Sequence, residues 1–133
     1  MAARRTTQRQ RRGAWAEDIA AAHLGSLGWR VMGRNLRVGR DEIDLLALEP
    51  GPPPALVVVE VRGLHSKLFG APEERVDRAK VGRLYRAAAA LRSAGCLPGG
   101  ERLPALSWRV DLVLVDAREG PPRLRHMRAI EPP

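Results

Sequence analysis

The chain predicts an α/β or α+β fold in which a mixed β-sheet is flanked by helices. Three observations lead there. Hydrophobic patterning gives the order helix, three strands, helix, strand, with a short candidate strand after that. The run Trp108 to Val115 interrupts its alternation with consecutive aliphatics, the pattern of a strand covered on both faces. The 133 residues are 44% hydrophobic, which suits one domain. A chain of that size buries about two-thirds of its unfolded surface. Aromatics make up only 4%, so the core rests on Leu, Val, Ile and Ala, and no internal repeat is visible.

The first helix is expected from about Ala14 to Leu27, where Ala16, Ala20, Leu24 and Leu27 recur at helical spacing and Gly28 suits the stop. Residues 1–12 carry five arginines and no acid, and read as a disordered basic arm ahead of a single domain over 13–133. Trp29 to Val38 reads as a strand followed by the turn Gly39-Arg40-Asp41. Glu42 to Leu48 and Ala55 to Arg62 read as the arms of one hairpin, because Gly51-Pro52-Pro53-Pro54 between them must turn. Pro72 opens a long helix over about Glu73 to Ser93, closed by Gly95. Residues 96–105 hold two Pro and two Gly and form a loop. Trp108 to Val115 and Leu124 to Ile130 complete the strands.

The net charge is +8 at a pI near 11.2, and only Lys67 and Lys80 among the 23 basic residues are lysines. Such an excess favours polyanions, meaning nucleic acid or an acidic membrane surface. A GC-rich genome would also produce a chain rich in Arg, Ala, Gly and Pro. The single cysteine, Cys96, excludes an internal disulfide and a cysteine-based zinc site. No apolar run approaches the ~20 residues of a membrane span. Arg4-Arg5 is followed by no hydrophobic region of an export signal, so a cytoplasmic protein with no membrane partner is expected.

A hairpin turn centred near Pro52 sets Asp44 opposite Glu60 and Glu42 opposite Arg62. Facing residues on an antiparallel pair stand roughly 5 Å apart on one side of the sheet. Two carboxylates that close repel by about 3–4 kcal/mol at an effective dielectric near 20, which a divalent cation would offset. Glu60 and Arg62 share a face with Leu56 and Val58, while Glu42 and Asp44 share theirs with Leu46 and Leu48. The charged ends fall together as a polar cluster at one edge of a buried sheet. The plain alternative is a set of salt bridges, Glu42 with Arg62 and Glu60 with any nearby arginine.

Five segments taken together, Gly13-Ala14-Trp15-Ala16-Glu17, Arg34-Asn35-Leu36-Arg37, Glu42-Ile43-Asp44-Leu45, Val59-Glu60-Val61-Arg62 and Val110-Asp111-Leu112-Val113, resemble the YraN-type family of small bacterial proteins. That family resembles the archaeal Holliday-junction resolvases and the PD-(D/E)xK nuclease superfamily, and the resemblance implies a restriction-endonuclease-like fold. It covers about Gly13 to His126. By this resemblance Asp44 and Glu60 are metal ligands, the backbone carbonyl of Val61 is a third, and Glu17 is an acid that reaches the same ion. Mg or Mn is the implied cofactor. Two departures stand out: Asp41 replaces the usual Gly, and Arg62 replaces the usual catalytic lysine. Arginine stays protonated and cannot act as a base, although it can clamp a phosphate.

Lys80 matches a lysine common at this helix position in the family. It also shares the stripe of Val76, Leu84, Ala87 and Leu91, an unusual place for a charge. It either reaches the site or snorkels past the helix edge. Asp111 has a regular family position and is expected to pair with an arginine. His23 and His126 read as structural or exposed, and His65 as water-facing. Arg34, Arg37, Arg40 and Lys67 are candidate phosphate contacts.

The expected function is therefore a metal-dependent nuclease on DNA or branched nucleic acid, with Asp44, Glu60, Arg62 and Lys80 catalytic, and a homodimer implied by the resolvase resemblance. The alternatives are a non-catalytic nucleic-acid-binding module on the same fold, and a small adaptor whose charge reflects genome composition alone.

Overall fold

The computed structural model describes residues 8–65 and 77–133. The elements are α1 (Gln8–Ser26), β1 (Arg30–Val38), β2 (Asp41–Glu49), β3 (Ala55–Leu64), α2 (Arg78–Ala94), β4 (Ser107–Asp116) and β5 (Arg123–Met127). The sheet runs in sequence order, β1 to β5. Its pairs are antiparallel except β3–β4, which are parallel and joined through α2. A parallel neighbour needs a crossover, and the second helix supplies it. The sheet is therefore mixed, as its residues predict.

One helix covers each face. Ala16, Ala20 and Leu24 of α1 pack on Leu45, Ala47, Val57, Val59, Val113 and Val115. Leu84, Ala87, Ala88 and Leu91 of α2 pack on Ile43, Leu46, Val58 and Val110. The alternation of β3 explains both cores: odd-numbered valines face α1, and Val58 faces α2. Burying each such aliphatic side chain contributes about 1.5–3 kcal/mol.

Two helix starts differ from expectation. α1 begins at Gln8, so residues 8–12 are helical rather than part of a disordered arm. This first stretch carries no apolar period because Gln10 to Trp15 are all exposed. Gln and Arg sustain a helix on backbone propensity alone, which periodicity does not detect. The rest of the basic arm, residues 1–7, lies outside the described residues. α2 begins at Arg78 rather than Glu73. Its cap is Asp77, whose backbone is extended and whose carboxylate accepts from the N–H groups of Ala79 and Lys80. Pro72 and Glu73 lie outside the described residues. The helix ends as expected on Gly95, in a left-handed conformation with φ 69°.

The hairpin turn needs Gly51. Its φ is 67°, and a Cβ there would stand 2.1 Å from the Pro53 carbonyl carbon. After β5 the chain crosses to the α2 side. The Ile130 N–H donates to the Val110 carbonyl at 2.7 Å, and the Tyr85 hydroxyl donates to the Ile130 carbonyl. Among the described residues, no helix is long and apolar enough to cross a membrane.

Candidate active site

The β2–β3 register is the expected one: Leu45 faces Val59, Leu46 faces Val58 and Leu48 faces Leu56. The ladder stops at Leu45–Val59, one pair short of Asp44–Glu60. On its other side, β2 pairs Leu45 with Arg34 and Ile43 with Leu36, leaving Asp44 and Asn35 out. Asn35 takes a left-handed φ of 50°, a conformation asparagine tolerates better than most residues. Ile43 belongs to the α2-side core and Leu45 to the α1-side core, although residues two apart on a regular strand share a face. The strand therefore rotates at Asp44. Freed from both ladders, the Asp44 carboxylate accepts the Val61 N–H at 2.9 Å.

This rotation corrects one expectation. The β2–β3 ladder ends at Leu45–Val59 and does not pair Glu42 with Arg62, and Glu42 is exposed. The central expectation concerned Asp44 and Glu60, and the structure brings them together. They line two adjoining grooves, each also lined by Lys80. One groove opens on the α1 side with Arg12, Gly13, Glu17, Val61, Gly63 and His65. The other opens on the α2 side with Arg40, Asp41, Glu42, Arg83 and Leu84. Lys80 reaches the site rather than snorkelling away, with Nζ 2.6 Å from Glu60 Oε1. One turn after the cap, the helix points it back over the sheet edge.

The electrostatics follow from crowding. Burial first, and then the Glu60 charge, raise the Asp44 carboxyl to about 7, against the pull of the Val61 N–H and Lys80. Burial and then the Asp44 charge raise Glu17, against Asn35 and Arg34. Lys80 is one counter-charge to this acid group, so a cation is not the sole means of offsetting the repulsion. The donors are all oxygens, which suits a hard divalent ion. Among the described residues, no three His, Cys, Asp or Glu side chains converge as a metal cage. Asp44 and Glu60 line the α1-side groove with Glu17 alongside.

Val61 presents its N–H to Asp44. Arg62 lines a small cavity with Glu60, Asp77 and Lys80. Arg34 is engaged by Asp18 at 2.6 Å and lies 3.9 Å from Glu17, so it orders the acids of α1. Arg37 is exposed, and Arg40 is exposed on the α2-side groove. Lys67 lies outside the described residues. Asp41, in the usual Gly position, is held below the ordinary carboxylate range by the Arg86 fork at 2.6 and 2.8 Å.

His65 stands on the wall of the α1-side groove. It is half-buried with its ring 5.6 Å from that of Trp15, and a Cβ on Gly63 would lie 2.8 Å from its Nε2. Burial, and then Arg12, lower its pKa. Sequence patterning does not single out Arg12, Asn35 and His65 as site residues. Asn35 carries a readable signal all the same: asparagine is depleted in strands and tolerates φ above zero.

Asp111 pairs with an arginine as expected. It is fully buried, accepts two bonds from Arg109 at 2.8 and 2.9 Å, one from the Ala129 N–H at 2.9 Å, and lies 2.8 Å from His126 Nε2. Burial pushes its carboxyl up, but these partners outweigh burial and hold it below the usual range. His126 is thus structural. Arg109 also reaches Glu49, and Arg109 and Arg128 each stand 5.7 Å from the Trp29 ring centroid.

A family model described as "Uncharacterised protein family UPF0102" matches residues 16–115, from within α1 through nearly all of β4. The chain is 40% identical over 115 residues to the UPF0102 protein of an Arthrobacter species, covering 86% of this chain and 90% of that one. It is 39% identical over 116 residues to that of Thermus thermophilus, covering 87% and 93%. To that of Moorella thermoacetica it is 39% identical over 110 residues, covering 83% and 84%.

Proposed function

The chain belongs to the UPF0102 family, the YraN-type family its motifs resemble, and from that premise we propose that it is a metal-dependent phosphodiesterase acting on DNA or branched nucleic acid. The observation that carries the reading is the meeting of Asp44, Glu60 and Lys80 where two grooves join. A resting fold gains nothing from forcing a carboxylate to a pKa near 7 against a second one. Perturbed acids of this kind in a cleft are characteristic of functional sites.

Mg or Mn held by Asp44, Glu60 and the Val61 carbonyl would supply a water of lowered pKa and neutralise phosphate charge. The residues of the chain divide the other tasks. Lys80 orients Glu60 and presents its amine over the cleft. Arg62 stabilises charge on the phosphate and accepts no proton. Asp44, buried and crowded by the Glu60 charge, would be kept ionised by the adjacent cation. Arg40 and Arg12, at the outer reaches of the two grooves, attract the polyanion without sequence preference. A homodimer would offer two such sites to a two-fold junction. The cytoplasm is the setting that matches such a substrate.

Arg62 in place of lysine favours a second reading, a nucleic-acid-binding module that has lost catalysis. Cleavage assays on duplex, flap and four-way-junction DNA with Mg or Mn separate the two. The nuclease predicts cleavage that Glu60→Ala abolishes and Arg62→Lys retains. Binding without cleavage in either metal, for the native protein, leaves only the module.

A further inference from the structure

We propose that Trp15 is a stacking platform for an unpaired nucleobase, so that a single-stranded stretch of nucleic acid lies along the α1-side groove. The inference deepens the phosphodiesterase reading, and rests on it only for what happens to the strand at the carboxylates.

Trp15 is 39% exposed, one of two large hydrophobic side chains exposed among the described residues. Its neighbours Ala16 and Ala20 turn into the core, so folding leaves the indole outside. The other two tryptophans are occupied: Trp29 is buried beneath Arg109, Arg128 and His126, and Trp108 packs against the α2-side core. Trp15 meets only the tilted ring of His65, at 47°, among the aromatic contacts of the described residues. Gly63 makes room for that imidazole. His65, Gly63, Gly13 and Arg12 then continue as the wall of the groove that holds Glu17, Asp44, Glu60 and Lys80.

The occupant follows from charge and shape. Arg11 and Arg12 are exposed one turn before the indole, on a chain of net charge +8. A polyanion drawn to Arg12 brings its bases to Trp15. Stacking needs a free base face, and in a duplex both faces of each internal base are covered by its neighbours. A basic groove beside an aromatic ring is the way proteins hold single strands.

The test is quenching of intrinsic tryptophan fluorescence by a thymidine 20-mer in EDTA at low salt. Quenching is expected, with single-strand affinity above that for a blunt duplex of equal length. Trp15→Leu, which keeps apolar bulk without an aromatic face, should weaken single-strand binding by about tenfold or more, and Trp15→Phe should restore most of it. Emission from Trp29 and Trp108 reports that the variants are folded. Equal affinity of Trp15→Leu and the native protein, or duplex binding as tight as single-strand binding, overturns the inference. Quenching without cleavage in Mg or Mn sinks the nuclease reading alone, and duplex cleavage without quenching sinks this one alone.

Discussion

Two acid clusters share one sheet and stand in opposite electrostatic states. Asp111, on β4, is fully buried yet is matched by the Arg109 fork, the Ala129 N–H and His126, and its carboxyl lies below the usual range. Asp44, on β2, is set against Glu60, and its carboxyl is raised to about 7. The first cluster satisfies its charge within the fold, through a network that also ties in Glu49, Arg128 and Trp29. The second leaves charge in excess where two grooves meet. Burial alone does not mark a site. What distinguishes the two is whether the chain supplies a matching cation for each carboxylate.

The contrast is most exposed to Asp111→Ala. It leaves Arg109 with Glu49 alone, takes the partner from the Ala129 N–H and His126 at a fully buried position, and should destabilise the domain by about 3–5 kcal/mol in urea unfolding. A loss below about 1 kcal/mol would mean the network holds little of the fold.

Next in size is the effect of pH. The Asp44 pKa is raised to about 7, above the ~3.9 of an unfolded aspartate. Its contribution to stability is therefore complete below about pH 4 and is lost as pH rises through 7. Asp111 has the opposite sign. Its lowered carboxyl contributes fully above about pH 4, and that contribution is lost as pH falls through the folded value. Stability should peak in mild acid. Asp44→Asn should flatten the decline between pH 4 and 7 while leaving the acid limb. Unfolding midpoints across that range decide it, and an unchanged decline would remove Asp44 as its source.

Glu60→Gln removes the charge that ranks after burial in raising Asp44. The Asp44 carboxyl should then titrate lower, though still above an exposed aspartate, in carbon-detected NMR. An unmoved titration would show that the two carboxylates do not meet in solution.

The smallest effect belongs to Arg34→Ala. Its ion pair with Asp18 is between exposed side chains, so unfolding should shift by less than about 1 kcal/mol.

Much of this is legible in the residues. The proline turn sets the β2–β3 register, so the sequence alone places Asp44 and Glu60 at the same level. Lys80 is visible as a charge on an apolar stripe. The rotation of β2 at Asp44 is not visible, because Glu-Ile-Asp-Leu carries no break in its alternation. It arises across the ladder, where Asn35 adopts a left-handed backbone. For that reason the Glu42–Arg62 pair looks sound in the sequence and is missing from the β2–β3 ladder. The α2 start is misplaced by patterning because Pro72 is a strong opening signal, while Asp77 acts through carboxylate bonds to two amides that no spacing announces. The Arg12 and Gln10 turn of α1 has propensity without periodicity, so it reads as tail.

The crossing of the chain after β5 has a practical consequence. Ala129 and Ile130 fasten Asp111, β4 and the Tyr85 hydroxyl of α2 in adjacent bonds. The helix that carries Lys80 is thus moored by residues more than forty positions downstream. A protein trimmed at Met127 would keep every strand and every acid of the two clusters, yet its lysine would ride on a helix held by its apolar face without the Tyr85 tie, so the choice of a boundary a few residues beyond the sheet would set how firmly the amine is held against Glu60.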